Sequence, residues 1–239
     1  MTLRQNCSVM TDSERIGFVV LLDSNVLAKP LTRTLVMAAG SLSGYGATWS
    51  RYEEDEANRH MCPEQSTATI VRALSGAELA PSGVDANRYG GTSTKDRQVL
   101  ADAVAAGALF LITEDVDDFD EGDLEAAGVA AVNPDLFLSL KATPDGYREA
   151  LTFVAQRFKR PERTVAQLHV QIGRAHPLTV ESQVSLFPDD QPKPAAHNPP
   201  AEMYRGNRCL NCLQTKQDVR LGWCPECTAH VGANSGSKV

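Results

Sequence analysis

Val19-Val20-Leu21-Leu22-Asp23-Ser24-Asn25-Val26-Leu27 is an apolar run that stops at an acid. A run this short, bounded by polar residues, reads as a buried strand. Strands buried on both faces are those of parallel sheets, and in open α/β sheets ligands collect at the carboxyl ends of the strands. Asp23 stands at such an end. An acid there also serves plain helix capping at a strand-to-helix turn, so a second copy of the pattern matters. Leu109-Phe110-Leu111-Ile112-Thr113-Glu114-Asp115 again runs from apolar residues into acids. Two strands that end this way point to one shared pocket.

Outward from these two strands, residues 31–39 read as a helix closed by Gly40, and 44–47 as a loop. Ser50 is placed to cap a helix over 52–59, which carries the acids Glu53, Glu54, Asp55 and Glu56 in succession. Acids in a first turn are favoured by the helix dipole and commonly form a solvated face. At 3.6 residues per turn, at most one or two of the four can point inward. A short helix over 68–74 and a Gly/Ser/Asn-rich loop over 82–94 follow.

Residues 94–107 form the clearest helix, with a small-residue apolar face and a glycine stop. Asp96 lies in its first turn on the side of Val99, Leu100 and Ala103, facing the sheet. It either joins the pocket or merely caps the helix, with Thr94 the competing cap. Beyond Asp117-Asp118-Phe119 come a short helix (124–127), a strand (129–132) and helices over 134–140, 147–159 and 164–175. Strand and helix alternate, which predicts an α/β domain with a parallel-type sheet. Apolar residues on the last two helices offer a surface for a homodimer or an inhibitor.

The composition is that of a folded chain: 239 residues and 42% hydrophobic content suffice for one full domain and a smaller appendage. A net charge of -7 argues against nonspecific coating of nucleic acid. It leaves room for a nuclease, since acids that hold a divalent cation add negative charge. No run approaches a membrane span and residues 1–17 are polar, so the expected location is the cytoplasm, with the first 16 residues a flexible lead-in.

Four of the six cysteines fall in two Cys-x-x-Cys pairs, Cys209/Cys212 and Cys224/Cys227, eleven residues apart, whereas Cys7 and Cys62 stand alone. In a reducing compartment such pairs read as metal ligands, and this spacing is that of a four-thiolate zinc ribbon. The short module around them has too little apolar content to fold unaided, and Zn²⁺ would supply the missing free energy. A redox pair or an empty knuckle is the alternative. Arg205, Arg208, Lys216, Arg220 and Trp223 surround the knuckles and suit either contact with phosphates and a base or a protein interface. A Pro-rich stretch before them reads as an extended linker, and 232–239 as a disordered end. The expected division is a nuclease-like domain over 17–142, a helical extension over 143–186, the linker over 187–204 and the ribbon over 205–231.

From Phe18 to Pro177 the chain resembles the PIN-domain nucleases, most closely the VapC-like toxin branch. The resemblance rests on Leu-Leu-Asp23-Ser-Asn-Val-Leu, Trp49-Ser50 with Glu56 six residues on, Asp96-Arg97-Gln98-Val99-Leu100-Ala101, and Ile112-Thr113-Glu114-Asp115 through Asp118-Phe119. It implies a three-layer parallel sheet flanked by helices and an endoribonuclease dependent on Mg²⁺ or Mn²⁺. It further implies an acidic quartet of Asp23, Glu56, Asp96 and Asp115, with Asp23, Asp96 and Asp115 as metal ligands and Asn25, Thr113 and Asp118 in support. A zinc ribbon is unusual in the toxin branch, but a ribosomal-RNA-processing branch of PIN nucleases carries one. The partners implied are an RNA substrate and, for a toxin, an antitoxin protein.

The residue types suit that chemistry. Crowded carboxylates raise one another's pKa unless a hard cation neutralises them, and oxygen ligands are what Mg²⁺ and Mn²⁺ prefer. No hydroxyl or thiol nucleophile is needed, and His60, His169, His176, His197 and His230 read as solvated or structural. A haloacid-dehalogenase-type phosphatase would require Asp-x-Asp, and position 25 is Asn. The rival from another class is a catalytically silent scaffold that binds RNA or protein through its ribbon.

Overall fold

A computed structural model of the chain describes residues 17–62, 67–157, 162–190 and 202–229. The expected lead-in (1–16), most of the Pro-rich stretch (191–201), Cys7, His197, His230 and the C-terminal residues lie outside the described residues.

The stretch at 18–22 forms β1 (Phe18–Leu22), whose last three residues have no solvent exposure. Aliphatic residues that pack on both faces of a pleated strand suit a sheet covered on both sides. β1 lies inside a five-stranded sheet with β2 (Tyr45–Thr48), β3 (Phe110–Ile112), β4 (Ala130–Val132) and β5 (Tyr204–Arg205), in the order β2-β1-β3-β4-β5. The first three pairings are parallel and β4 with β5 is antiparallel.

Side-chain alternation divides the core in two. Val20, Leu22, Ile112 and Val132 join one cluster, Leu21, Leu111 and Ala131 the other. The first cluster is completed by helices α2 (Pro30–Ser43), α7 (Pro134–Lys141), α8 (Pro144–Ala155) and α9 (Val165–Ile172), and the second by α5 (Arg97–Ala105) and α6 (Glu121–Ala127). The protein is therefore an α/β molecule with helices on both faces of a mostly parallel sheet. The sheet is further flanked, among the described residues, by α1 (Ser24–Leu27), α3 (Arg51–His60) and α4 (Ala68–Ser75), and by one helix after α9.

Several local expectations are corrected. α2 runs past Gly40 to Ser43 and stops at Gly44, whose φ of 78° is the left-handed cap conformation. Gly40 serves close approach instead: a Cβ there would lie 2.6 Å from the Tyr45 carbonyl oxygen. Residues 45–47, expected as loop, form strand β2, because parallel pairing with β1 overrides a segment of two small residues that has no apolar alternation. The helix expected over 164–175 is shorter, and α10 (Pro177–Ser182) follows it. Asp135 fixes α10 by accepting from the backbone N–H groups of Leu178 and Thr179 at 3.0 and 2.8 Å.

On α8 and α9 six apolar residues turn inward, whereas Phe153 is exposed. Tyr147, Ala150, Leu151, Val154, Leu168 and Ile172 are buried in the chain's own core. His169 and His176 are buried as well, His169 beside the Tyr147 hydroxyl at 3.0 Å and His176 beside that of Thr32 at 3.0 Å. Burial lowers the pKa of both. Among the described residues, no helix is long and apolar enough to cross a membrane.

Candidate active cleft and cysteine cluster

β1 and β3 are neighbours in parallel register, Leu22 opposite Ile112, so the residues that follow them emerge at the same edge. Asp23 is the first. Its backbone N–H still pairs with the Ile112 carbonyl at 3.0 Å, and its side chain caps α1 by accepting from the Ser24 N–H at 2.6 Å. The other carboxylate oxygen accepts from the Thr113 hydroxyl at 2.7 Å and the Asn25 amide at 2.9 Å. Asn25 is the hub: its Nδ2 also lies 3.0 Å from Thr113 Oγ1 and 3.1 Å from Asp115 Oδ2, and its carbonyl accepts from the Glu114 N–H at 3.3 Å. One side chain thus links the ends of two strands and two of the acids.

Burial pushes the Asp23 carboxyl up to about 6, and the nearby Asp96 charge adds to it; bonds from Thr113 and the Ser24 N–H pull the other way. Asp96 occupies the N-cap position of α5, but no side-chain cap bond forms there. The Asp96 carboxylate instead accepts from the Ser93 hydroxyl. Burial raises its pKa, with contributions from Asp118 and Glu56.

The four consecutive acids of α3 separate as helical geometry requires. Ser50 and Glu53 form a capping box: Ser50 Oγ accepts from the Tyr52 N–H at 3.0 Å and Glu53 from the Ser50 N–H at 2.7 Å. That fixes the phase of the helix. Glu53 and Glu54 are buried, Asp55 is exposed, and Glu56, one turn beyond Tyr52, is half-buried.

Glu56 joins Asp23, Asp96, Asp115 and Asp118 around one cavity of about 400 Å³, which Asn25, Lys29, Tyr52, His60, Lys95 and Phe119 also line. Thr113 is fully buried beneath Asp23 and does not line the cavity. Lys95 Nζ stands 3.1 Å from Asp118 and 3.8 Å from Asp96, and Lys29 pairs with Glu114. The acids encircle the cavity without converging. Among the described residues, the one set of at least three His, Cys, Asp or Glu with ligand atoms within 4.8 Å of one another is Cys209, Cys212, Cys224 and Cys227.

That cysteine set can hold a metal ion. A tetrahedral zinc site with Zn–S bonds of ~2.3 Å places its sulfurs about 3.8 Å apart, and Cys212 Sγ lies 3.9 Å from Cys224 Sγ. Against burial, which raises it, the backbone N–H groups of Cys212, Cys224 and Asn211 bring the Cys209 thiol down to about 7. Cys62 is exposed and stands apart. Two of the basic residues around the knuckles make contacts within the chain. Arg208 donates to the Gly128 carbonyl at 2.8 and 3.1 Å and to that of Leu213 at 2.8 Å, and Arg205 is engaged by Glu202 and the 117–119 backbone. Lys216 pairs with Glu226 at 3.4 Å.

Lys29, Tyr52 and Lys95 are cavity residues that sequence reasoning did not pick out. Lys95 adjoins the selected Asp96, but a lysine between Thr94 and Asp96 carries no motif of its own. Comparison with family models, with curated proteins and with solved structures gives no match for the chain.

Proposed function

We propose that the acidic cleft is the active site of a divalent-metal-dependent endoribonuclease of the PIN type. The observation that carries this reading is the cavity at the carboxyl ends of β1 and β3, where the sequence motifs' four acids, Asp23, Glu56, Asp96 and Asp115, meet with Asp118. Five carboxylates face two lysines there, and the Lys95 ammonium already stands beside Asp96 and Asp118 as a cation of the chain's own. The donor set is all hard oxygen, which fits Mg²⁺ or Mn²⁺. Its breadth suits an ion that keeps several waters and takes few carboxylates directly.

In this reading Asp23, Asp96 and Asp115 would hold the ion between them, in part through its own water shell, and Glu56 and Asp118 would extend the negative field. A bound Mg²⁺ or Mn²⁺ lowers the pKa of a coordinated water and neutralises charge on the phosphodiester. Thr113 and Asn25 fix the orientation of Asp23, and Asn25 ties Asp115 to it. Lys29 and Lys95, at the mouth, offer ammonium groups to a phosphate backbone, and Tyr52 a ring face to a base. The four cysteines take Zn²⁺, one ion per chain.

The test is cleavage of a mixed pool of structured RNAs by zinc-loaded protein with Mg²⁺ or Mn²⁺, beside Asp23→Asn and Asp96→Asn. The control omits the divalent ion, since a chelator would also strip the cysteines. Cleavage by the wild type alone supports the nuclease. Equal inertness of all folded proteins would put the scaffold reading ahead.

A further inference from the structure

Arg205 lies four residues before Cys209, in the strand that joins the cysteine module to the sheet. Neighbouring strand residues face opposite ways. Tyr204 enters the core cluster of α2 and α7, and its hydroxyl donates to the Arg208 carbonyl at 2.5 Å. Arg205 reaches the other side, toward the turn that follows β3.

There the guanidinium makes four hydrogen bonds. Nε and Nη2 grip the Glu202 carboxylate, Nε at 3.0 Å, in a two-pronged pair. Nη1 donates to the backbone carbonyls of Asp117 at 3.1 Å and Phe119 at 2.6 Å. Asp117 belongs to one 3-10 turn, Val116–Asp118, and Phe119 follows it directly; Asp115 precedes the turn, which the Asp118 and Phe119 N–H bonds close at 3.1 and 3.4 Å. A turn this short leaves carbonyls without partners of its own. The same turn carries Asp115 and Asp118 into the acidic cavity.

The other end of the connection is tied to the cysteines. Arg208, one residue before Cys209, is pinned to Gly128 beside β4, and the carbonyl of Leu210 accepts from Lys141 Nζ at 3.1 Å. Between these anchors, β5 is only two residues long and pairs with Ala131 and Val132. So short an edge strand is not stable by itself. Its position depends on what holds the segment after it.

We propose that Arg205 is a positioning residue through which the metal load of the cysteine cluster sets the geometry of the acidic cleft: the loaded cluster holds β5, β5 presents Arg205, and Arg205 holds the Asp115–Phe119 turn. The cleft's function rests on the reading given above, but the physical connection does not. Coupling of this kind has a discrete carrier, one guanidinium shared between two modules, rather than proximity alone.

The test is amide hydrogen exchange on the full chain in four states: zinc-loaded wild type, wild type stripped by a thiol-competent chelator under reducing conditions, and zinc-loaded Arg205→Gln and Arg205→Lys. Hydrogen bonds to a charged donor are lost from the turn in the last three. Its amides should exchange at least about tenfold faster, while peptides over β1 and α2 keep their rates. Arg205→Lys guards against a misfolded glutamine variant, because an ammonium keeps the charge but cannot span Glu202 and two carbonyls at once.

Mn²⁺ titration of the same zinc-loaded proteins is the second readout. The variants should bind Mn²⁺ roughly tenfold more weakly at an unchanged melting temperature. Turn amides as protected as in the loaded wild type, with only the 209–227 peptides exposed on stripping, would overturn the proposal. Failure of the wild type to bind Mn²⁺ would sink the nuclease reading instead, and the exchange result would still decide the coupling.

Discussion

The Thr113 hydroxyl donates to the Oδ2 of Asp23 across 2.7 Å, a buried contact between the ends of two adjacent parallel strands. Burial has already brought Asp23 to about 6, and this bond opposes further rise. Thr113→Val keeps the shape and removes the donor, so the pKa of Asp23 moves further up. One such bond amounts to about 0.5–1.5 kcal/mol, or up to about one pH unit. Metal binding requires the deprotonated carboxylate. The midpoint pH for Mn²⁺ binding, followed by calorimetry between pH 5.5 and 8, should therefore move upward by that amount. An unmoved midpoint would show that Thr113 does not act through Asp23.

Glu56 and Asp55 are sequence neighbours with opposite environments, one lining the cleft and the other exposed. Glu56 makes a weak surface ion pair with Arg59 at 3.5 Å and lies 3.9 Å from His60 Nε2. Glu56→Gln should leave the melting temperature unchanged and lower divalent-dependent RNA cleavage roughly 10–100-fold. Asp55→Asn should alter neither. Equal effects of the two substitutions would mean that the helix face identified here is not the one that meets substrate.

What the sequence disclosed was whatever depends on local pattern. The run into Asp23 and its copy into Asp115 announce two buried strands with acids at one edge, and Ser50 announces a helix start. The phase of α3 was not legible, because which acid turns inward depends on the capping box committing Glu53 to the backbone. Gly40 carries the same letter as a helix stop, yet it is explained by the Tyr45 carbonyl that crosses it. β2 and β5 lack strand patterns because their neighbours, not their own residues, make them strands. Arg205 and Arg208 look like a basic surface, but the Phe119 and Gly128 carbonyls they engage are some 80 residues away in sequence, and spacing cannot reveal that.

Glu54 shows how a buried acid can be wholly structural. Its carboxylate accepts from Trp49 Nε1 at 3.1 Å, Arg51 at 2.9 Å, Thr69 at 3.0 Å and Arg72 at 2.8 Å, which binds α4 to α3. Glu54→Ala would leave the buried indole N–H and Arg72 unpartnered. The arginines are partly exposed and can rehydrate, so the cost falls at the low end for a broken buried pair, about 3 kcal/mol. Thermal melting should drop by about 5–10 °C, with Mn²⁺ affinity of the folded protein unchanged.

Glu53 has the contrary character. One oxygen accepts from the Ser50 N–H, the other has no hydrogen-bond partner among the described residues, and burial together with the Asp102 charge raises its pKa from 4.5 to about 8. An acid whose folded pKa is raised favours folding fully below its unfolded value and loses that contribution as pH rises. Between pH 4.5 and 8 the unfolded chain gives up this proton before the folded one does, so stability falls throughout the window and the loss is complete above about 8. Glu53→Gln keeps a carbonyl oxygen for the Ser50 N–H and removes the titration. Any constant cost of its buried amide cancels in a comparison across pH. The melting temperature of Glu53→Gln minus that of the wild type should therefore grow by about 5 °C or more from pH 5 to 8 and then level off. A difference that stays flat across that range would show that Glu53 ionises in the folded protein as readily as in water, and that α3 has room for solvent at its first turn.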